Sequence, residues 1–479
     1  MDERPSDAAG VNWARWFLVA GLTFGLVAVY FQAPGMSPDE AHHFARVAQI
    51  ARGELTSPLD SRGVALAQLD PCTTTVVQRL SNQEAVVRWR PSDRLAHVVC
   101  QPPKPLQISN TAVNNPVAYV PNLVGYALGR LLGGGVLSLW LARLTGLLGY
   151  LLVGWLAIRI APYGKGFLFF IALLPTPISL AVTVSADPSS ISLALLSVAL
   201  LLRLRVTSPD VDDRRSTIVL LTGFAVSLVA LTWTKNIYAP FALLALLVPT
   251  GCFRSRPAAR WYRAGVIAVA VGAFVAWTAG VTTRVRFITA VTRFDSRRNQ
   301  QWAHAHPWGL VQVVANSLFR TPVLIDHTLP GMLAHFHGSA PIGNRVTPWW
   351  IAVLVVGLGA LAWRLDSSRS RHDEPVASDG TRLTRWAPAV VVGSISVAVL
   401  VMATVGEFLL FTLFAAERTR VAYIEGRFFV PLLPLLLLLR NGRPTQHGPA
   451  RRAWRVVGLP LGLALFATWY VVTAHRLYA

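Results

Sequence analysis

The sequence predicts an all-α, polytopic membrane protein with about eleven transmembrane helices, because apolar runs long enough to cross a bilayer of roughly 30 Å recur along it. Two further observations carry that prediction. Of 479 residues, 53% are hydrophobic and only 14% charged, where a soluble protein would carry roughly 25% charged residues, and mean hydropathy is +0.47. The arginines, moreover, collect in short loops between apolar runs, where positive charge fixes topology. A net charge of +21 in a soluble chain would suggest nucleic acid; distributed this way it does not, and no nucleic-acid partner is expected.

Helices are the expected spanning elements, because hydrocarbon offers no partner for a free backbone polar group. The predicted spans are 16–31, 137–158, 166–184, 188–203, 217–234, 236–250, 264–282, 348–363, 386–412, 427–440 and 456–474. The first lacks a small-residue cleavage site and reads as a retained signal anchor. The stretch 116–133 is moderately apolar, and loop charge decides how to count it. Laid along the surface, with the N-terminus cytoplasmic, it leaves 22 Lys/Arg in the short cytoplasmic loops against 5 in the short outward ones. If it crossed instead, every later loop would invert and the positive-inside bias would fail.

The chain then reads as one integral membrane domain, 1–479, with the C-terminus outside and the loops 32–114 and 283–347 facing outward. Residues 364–385, rich in Ser, Asp and Arg, form a cytoplasmic linker loop. Cys72 and Cys100 share the first outward loop, where an oxidising compartment would permit a disulfide. Sequence separation alone leaves that pairing open. No pair of broken helices recurs in the two halves, as inverted-repeat transporters would show.

The strongest pointer to chemistry follows the first span. Asp39 and Glu40, then His42 and His43, stand at the mouth of a membrane helix. Ala41, Phe44, Val47, Ala48 and Ala51 recur at helical spacing, so 39–52 reads as a short amphipathic helix on the outer membrane surface. The acids fall at its N-terminus, where the helix dipole favours carboxylates. The plain alternative is that Asp39 merely caps the helix. The chemical reading is a general base within reach of an acceptor hydroxyl, with a histidine sharing the site.

Cations are predicted on the same face. Lys235 interrupts the apolar stretch 217–250, and Arg427 follows Glu425 at the start of the 427–440 span. Ionisable groups at membrane depth are costly and generally functional; here they can hold the phosphate of a lipid carrier as it leaves. The competing readings are snorkelling to the interface and a structural Glu425–Arg427 pair. Asp187 sits in the outward turn Ser185-Ala186-Asp187-Pro188, where capping the next helix is its simplest role. The pairs His304/His306 and His335/His337 have ligand-like spacing but lack a third ligand at a fixed interval, so a divalent metal is only a minor expectation.

These residues resemble a known family. Pro38-Asp39-Glu40-Ala41-His42 with Arg46, Gln49 and Gly53 resembles the opening motif of the DUF2142 family of bacterial multi-pass membrane proteins. Asn115-Pro116-Val117-Ala118-Tyr119-Val120-Pro121, Leu174-Pro175, Ser185-Ala186-Asp187, the Lys235 stretch and Glu425-Gly426-Arg427 extend the resemblance over most of the chain. It departs from the pattern at His42-His43, where a single His is usual, and at Asn115.

The family is grouped with the GT-C glycosyltransferases, which use polyprenyl-phosphate-linked sugars outside the cytoplasmic membrane. The resemblance therefore implies a GT-C-like fold with interfacial helices in the first outer loop and a catalytic acid at Asp39 or Glu40. His42, His43, Arg46, Tyr119, Asp187, Lys235, Glu425 and Arg427 would be substrate-binding residues. The expected partners are a polyprenyl-phosphate sugar donor, membrane lipid, and an extracytoplasmic glycan, lipid or protein acceptor. The alternatives are a transporter or flippase for such intermediates, which needs the basic lipid-phosphate site but no base, and a non-catalytic assembly partner.

Overall fold

The computed structural model describes residues 12–35, 37, 39–81, 99–100, 102–207, 214–289, 294–319, 328, 332, 382–411, 419–421, 424–439 and 464. It is mostly helical, and six described helices are long and apolar enough to cross a membrane. They belong to α1 (Trp13–Phe31), α5 (Val136–Ile160), α8 (Asp187–Val206), α9 (Arg214–Thr234), α10 (Arg256–Trp277, prolonged by a π turn to Thr282) and α13 (Arg382–Phe411). Each matches one predicted span. Three of the other five are interrupted, and proline explains each of them. Pro175 and Pro177 split 166–184 into α6 (Lys165–Ala172) and α7 (Pro175–Ala181), since a proline cannot donate to the preceding turn.

Residues 236–250 and 427–440 wind mainly as 3-10 helices, Asn236–Leu247 with Pro240 inside and Gly426–Leu439 with Pro431 and Pro434 inside. A 3-10 helix rises ~2.0 Å per residue against ~1.5 Å in an α-helix, so these short segments reach further than their length suggests. The predicted spans 348–363 and, apart from Ala464, 456–474 lie outside the described residues, as do Pro38 and most of the 364–385 linker.

The bundle has two unlike ends. One collects arginines: Arg205 donates to the Leu438 carbonyl at 3.3 Å, and Arg263 reaches the Val248 carbonyl at 3.1 Å. The other gathers the end of α1, the starts of α5 and α8, and the ends of α9 and α13. Between them lies an apolar core running from Phe17 and Tyr150 through Phe169, Leu195 and Phe224 to Leu435.

Over the second end sits a layer built from the 32–114 segment. It holds α2 (Glu40–Ala51), α3 (Pro71–Ser81) and a two-residue antiparallel pairing of β1 (Leu66–Ala67) with β2 (Leu106–Gln107). The second long loop contributes β3 (Ile288–Thr289) and β4 (Phe294–Asp295), followed by α11 (Ser296–Ala305) and α12 (Pro307–Phe319). The loops are stitched together by Gln107 Nε2 on the Ile288 carbonyl at 2.7 Å and Ser109 Oγ on the Arg286 carbonyl at 2.8 Å.

The α2 helix corrects the surface-helix expectation. Ten of its twelve residues are buried, including its polar Arg46 and Gln49. The loop after it folds back over that polar face, so α2 has protein cover on both sides instead of one free apolar face.

Cys72 and Cys100 are joined by a disulfide across a separation of 28 residues. Closing a loop of that length removes denatured-state entropy equivalent to about 3–4 kcal/mol. Cys72→Ser with Cys100→Ser should therefore lower the thermal midpoint of the purified protein, read by fluorescence in detergent, while thiol labelling of the wild type finds only Cys252. An unchanged midpoint would show that the bridge leaves the layer's stability untouched.

Residues 116–133 form a 3-10 turn, Pro116–Tyr119, and then α4 (Val120–Leu132). At about 1.5 Å per residue its 13 residues extend roughly 20 Å, too short to cross. Gly133, Gly134 and Gly135, all with positive φ, turn the chain back so that α4 packs antiparallel on α5. Gly125 and Gly129 permit that contact: a Cβ on either would fall within 2.3 Å of Leu141 or Ser138 backbone. The opposite face, Val120, Val124, Leu128 and Leu131, stays exposed.

Candidate active site

The first anchor is Glu40. Its carboxylate is fully buried and accepts from Arg143 through two bonds, Nε to Oε1 at 2.7 Å and Nη2 to Oε2 at 2.6 Å. The backbone N–H groups of Gly35, at 2.7 Å, and Val184, at 3.1 Å, donate to the same oxygens. Arg143 also donates to the carbonyls of Gln32, at 2.9 Å, and Ala33, at 3.5 Å, at the exit of α1. This network welds α1, α2, α5 and the turn before α8 at one point. Both Glu40 oxygens are committed to it, which argues for a structural Glu40.

Its neighbour is placed quite differently. Asp39 has φ 60° and ψ 15°, and is the one non-glycine with positive φ among the described residues. The left-handed region costs an L-residue roughly 1–2 kcal/mol and persists only where surroundings over-determine it. The Asp39 side chain makes no capping hydrogen bond to α2, so the capping reading fails. It remains 39% exposed, with Oδ1 3.7 Å from His42 Nδ1. Desolvation pushes this carboxyl up, but adjacent His42 and the charge of Arg427 oppose it, and the group is held below the usual carboxylate range.

Facing the acid is a buried charge cluster. Asp187 opens α8 without capping it; its carboxylate instead pairs with Lys235 Nζ and lies 3.7 Å from Arg427 Nε. Glu425 stands 3.6 Å from the same Nε. Neither distance is a hydrogen bond. Arg427 is 7% exposed, yet its Nε and Nη1 have no hydrogen-bond partner among the described residues. Lys235 and Arg427 flank the Phe428 ring, 4.7 Å and 5.4 Å from its centre. Glu407, buried near the end of α13, lies within electrostatic reach of Glu425, Arg427, Asp39 and Lys235.

The two histidines divide as residues on adjacent helical positions must. His42 is half-buried, its Nδ1 2.7 Å from Asn110 Nδ2. His43 turns inward, its Nδ1 2.7 Å from the Tyr119 hydroxyl, which also accepts from Asn114 Nδ2 at 3.3 Å. Burial, opposed by Asp39, pushes the His43 pKa down to about 3, so the ring is neutral at physiological pH.

A model of the family described as predicted membrane protein (DUF2142) matches residues 22–436. The chain belongs to the DUF2142 family. No curated protein and no solved structure matches it, so the family places this DUF2142 member in the membrane without naming an activity.

Most residues singled out from the sequence of this DUF2142 member converge here. Asp39, His42, His43, Tyr119, Asp187, Lys235, Glu425 and Arg427 all fall at one end of the bundle. Arg46 stands apart. It is fully buried and donates to Gln49 Oε1 at 2.6 Å, to the Leu55 carbonyl at 2.5 Å, and to Glu54 O and Ser57 Oγ at 3.3 Å, holding the loop that covers α2.

Among the described residues no group of three or more His, Cys, Asp or Glu could hold a metal ion. His304 is exposed, His306 stacks on Trp302, and His335 and His337 lie outside the described residues. Sequence reasoning missed Glu407, Asn110 and Asn114. Glu407 carried a usable signal, being an acid inside the apolar 386–412 run.

Proposed function

We propose that this DUF2142 member is a GT-C-like glycosyltransferase that moves a sugar from a polyprenyl-phosphate donor to a cell-envelope acceptor. The observation that carries the reading is the pairing of an uncommitted carboxylate, Asp39, with the buried Arg427, whose Nε and Nη1 lack hydrogen-bond partners. Asp39 takes the proton of an acceptor hydroxyl; the oxygen attacks the anomeric carbon as its bond to phosphate breaks. The polyprenyl phosphate departs with one more negative charge, toward Arg427 and Lys235. The stereochemistry inverts, because attack and departure are on opposite faces.

The charge asymmetry of the loops supports a cytoplasmic N-terminus and an extracytoplasmic site in the cytoplasmic membrane. A transporter of the same lipid would use the cations but not the base, and nothing at the site favours it. The deciding experiment compares a deletion strain with wild type. The deletion should accumulate a polyprenyl-phosphate sugar and lack that sugar in an envelope glycan; unchanged profiles of both would remove the proposal.

Arg427→Lys keeps the charge but loses the forked donors. One or two charge-assisted hydrogen bonds are worth about 1.5–3 kcal/mol, so the KM for the lipid-linked donor should rise roughly tenfold or more, with membrane expression unchanged. An unaltered KM would take Arg427 out of donor binding.

A further inference from the structure

His43 has a role that the base-and-cation scheme leaves unused. Its Nδ1 is occupied by Tyr119, and the hydrogen-bond directions around that contact are constrained. With Asn114 Nδ2 donating to the phenol oxygen, the phenol proton can serve His43 Nδ1, and that arrangement gives every group at the contact a partner. A neutral imidazole with Nδ1 accepting carries its proton on Nε2. That Nε2 has no hydrogen-bond partner among the described residues, although His43 is only 5% exposed. Asp39, Lys235, Asp187 and Arg427 all lie within electrostatic reach of the ring.

We infer that His43 donates its Nε2–H to a phosphate oxygen of the bound lipid carrier, with Asn114 and Tyr119 as positioning residues that hold the imidazole in the required tautomer. This rests on the proposed function for the identity of the ligand. The argument is one of complementary chemistry. A neutral Nε2–H and the free Nε and Nη1 of Arg427 are all donors, and a phosphodiester oxygen only accepts. A sugar or acceptor hydroxyl, which must also donate, is better served by the Asp39 carboxylate. The site thereby sorts its two ligands: the oxyanion toward His43 and Arg427, the hydroxyl toward Asp39.

The test uses the full-length protein in detergent with labelled histidine, observed by 15N NMR, and a polyprenyl monophosphate as the probe. The wild type should show the Nε2-protonated tautomer for His43, assigned by its loss in His43→Gln, and that N–H signal should move when the probe is added. Tyr119→Phe removes the tautomer lock without removing the ring. It should give a mixture of tautomers and weaken probe binding about threefold to tenfold in protein that still elutes as a folded species on size exclusion. His43→Ala should weaken binding about tenfold, with partial recovery in His43→Gln, which restores an N–H.

A His43 signal that ignores the probe, or a Tyr119→Phe protein with wild-type tautomer and binding, overturns the inference. Because the readout is binding, it separates from the transfer reaction. If Asp39→Asn abolishes transfer while His43 ignores the probe, this inference alone has failed. If sugar transfer is never found but His43 responds, the lipid-phosphate site stands and the glycosyltransferase reading falls.

Discussion

Asp39→Asn should abolish sugar transfer and leave the protein folded. Asparagine is the residue other than glycine that best tolerates the left-handed backbone Asp39 adopts, and the side chain caps nothing, so no helix cap is lost. What goes is the carboxylate. Removing a positioned general base costs about 10²–10⁴ in rate, to be measured as transfer from a polyprenyl-phosphate sugar in membranes. Asp39→Gly sharpens the contrast. It relieves backbone strain but gives up the carboxylate's favourable interactions, so the protein should stay folded while transfer disappears.

Since the neighbours of Asp39 hold its carboxyl below the ordinary range, the base is ionised from about pH 5 to 8. Its protonation should slow transfer only as the pH falls below the usual carboxylate values. Full transfer by both variants would leave the fold described here without its proposed base.

Glu40 and Arg143 should behave oppositely. Either Glu40→Ala or Arg143→Ala strands a fully buried charge, and breaking such a pair typically costs about 3–5 kcal/mol. The expected result is a large fall in thermal midpoint and in recovered protein, read by fluorescence-detected size exclusion. The double variant Glu40→Leu/Arg143→Leu should regain part of the loss, because no lone charge remains. It should not regain all of it, because Gly35, Val184, Gln32 and Ala33 would still lack their partners. Single variants as stable as wild type would show that the network does not hold the layer on the bundle.

Asp39 and Glu40 show where the sequence could be read and where it could not. Their importance followed from two acids beside a membrane helix, and the convergence with Lys235 and Arg427 followed from counting loop charge. Their division of labour did not, because it depends on Arg143, 103 positions from Glu40. Arg46 failed for a local reason. On a helical wheel it belongs to a wet face, and only the carbonyls of the returning 54–57 loop make its burial tolerable. The interruptions of 166–184, 236–250 and 427–440 were written in Pro175, Pro177, Pro240, Pro431 and Pro434. Hydropathy averages blur such positions, whereas the backbone cannot.

The Glu40–Arg143 pair also bears on how the chain is made. An arginine inside a 25-residue apolar helix opposes that helix's entry into lipid. Glu40 is synthesised first and can be waiting when Arg143 emerges. Partnering the two would neutralise the guanidinium during biogenesis, so α5 would enter the bilayer as half of a charge-matched pair. On this view the layer above the bundle is more than a lid added to a finished membrane domain; it takes part in assembling it.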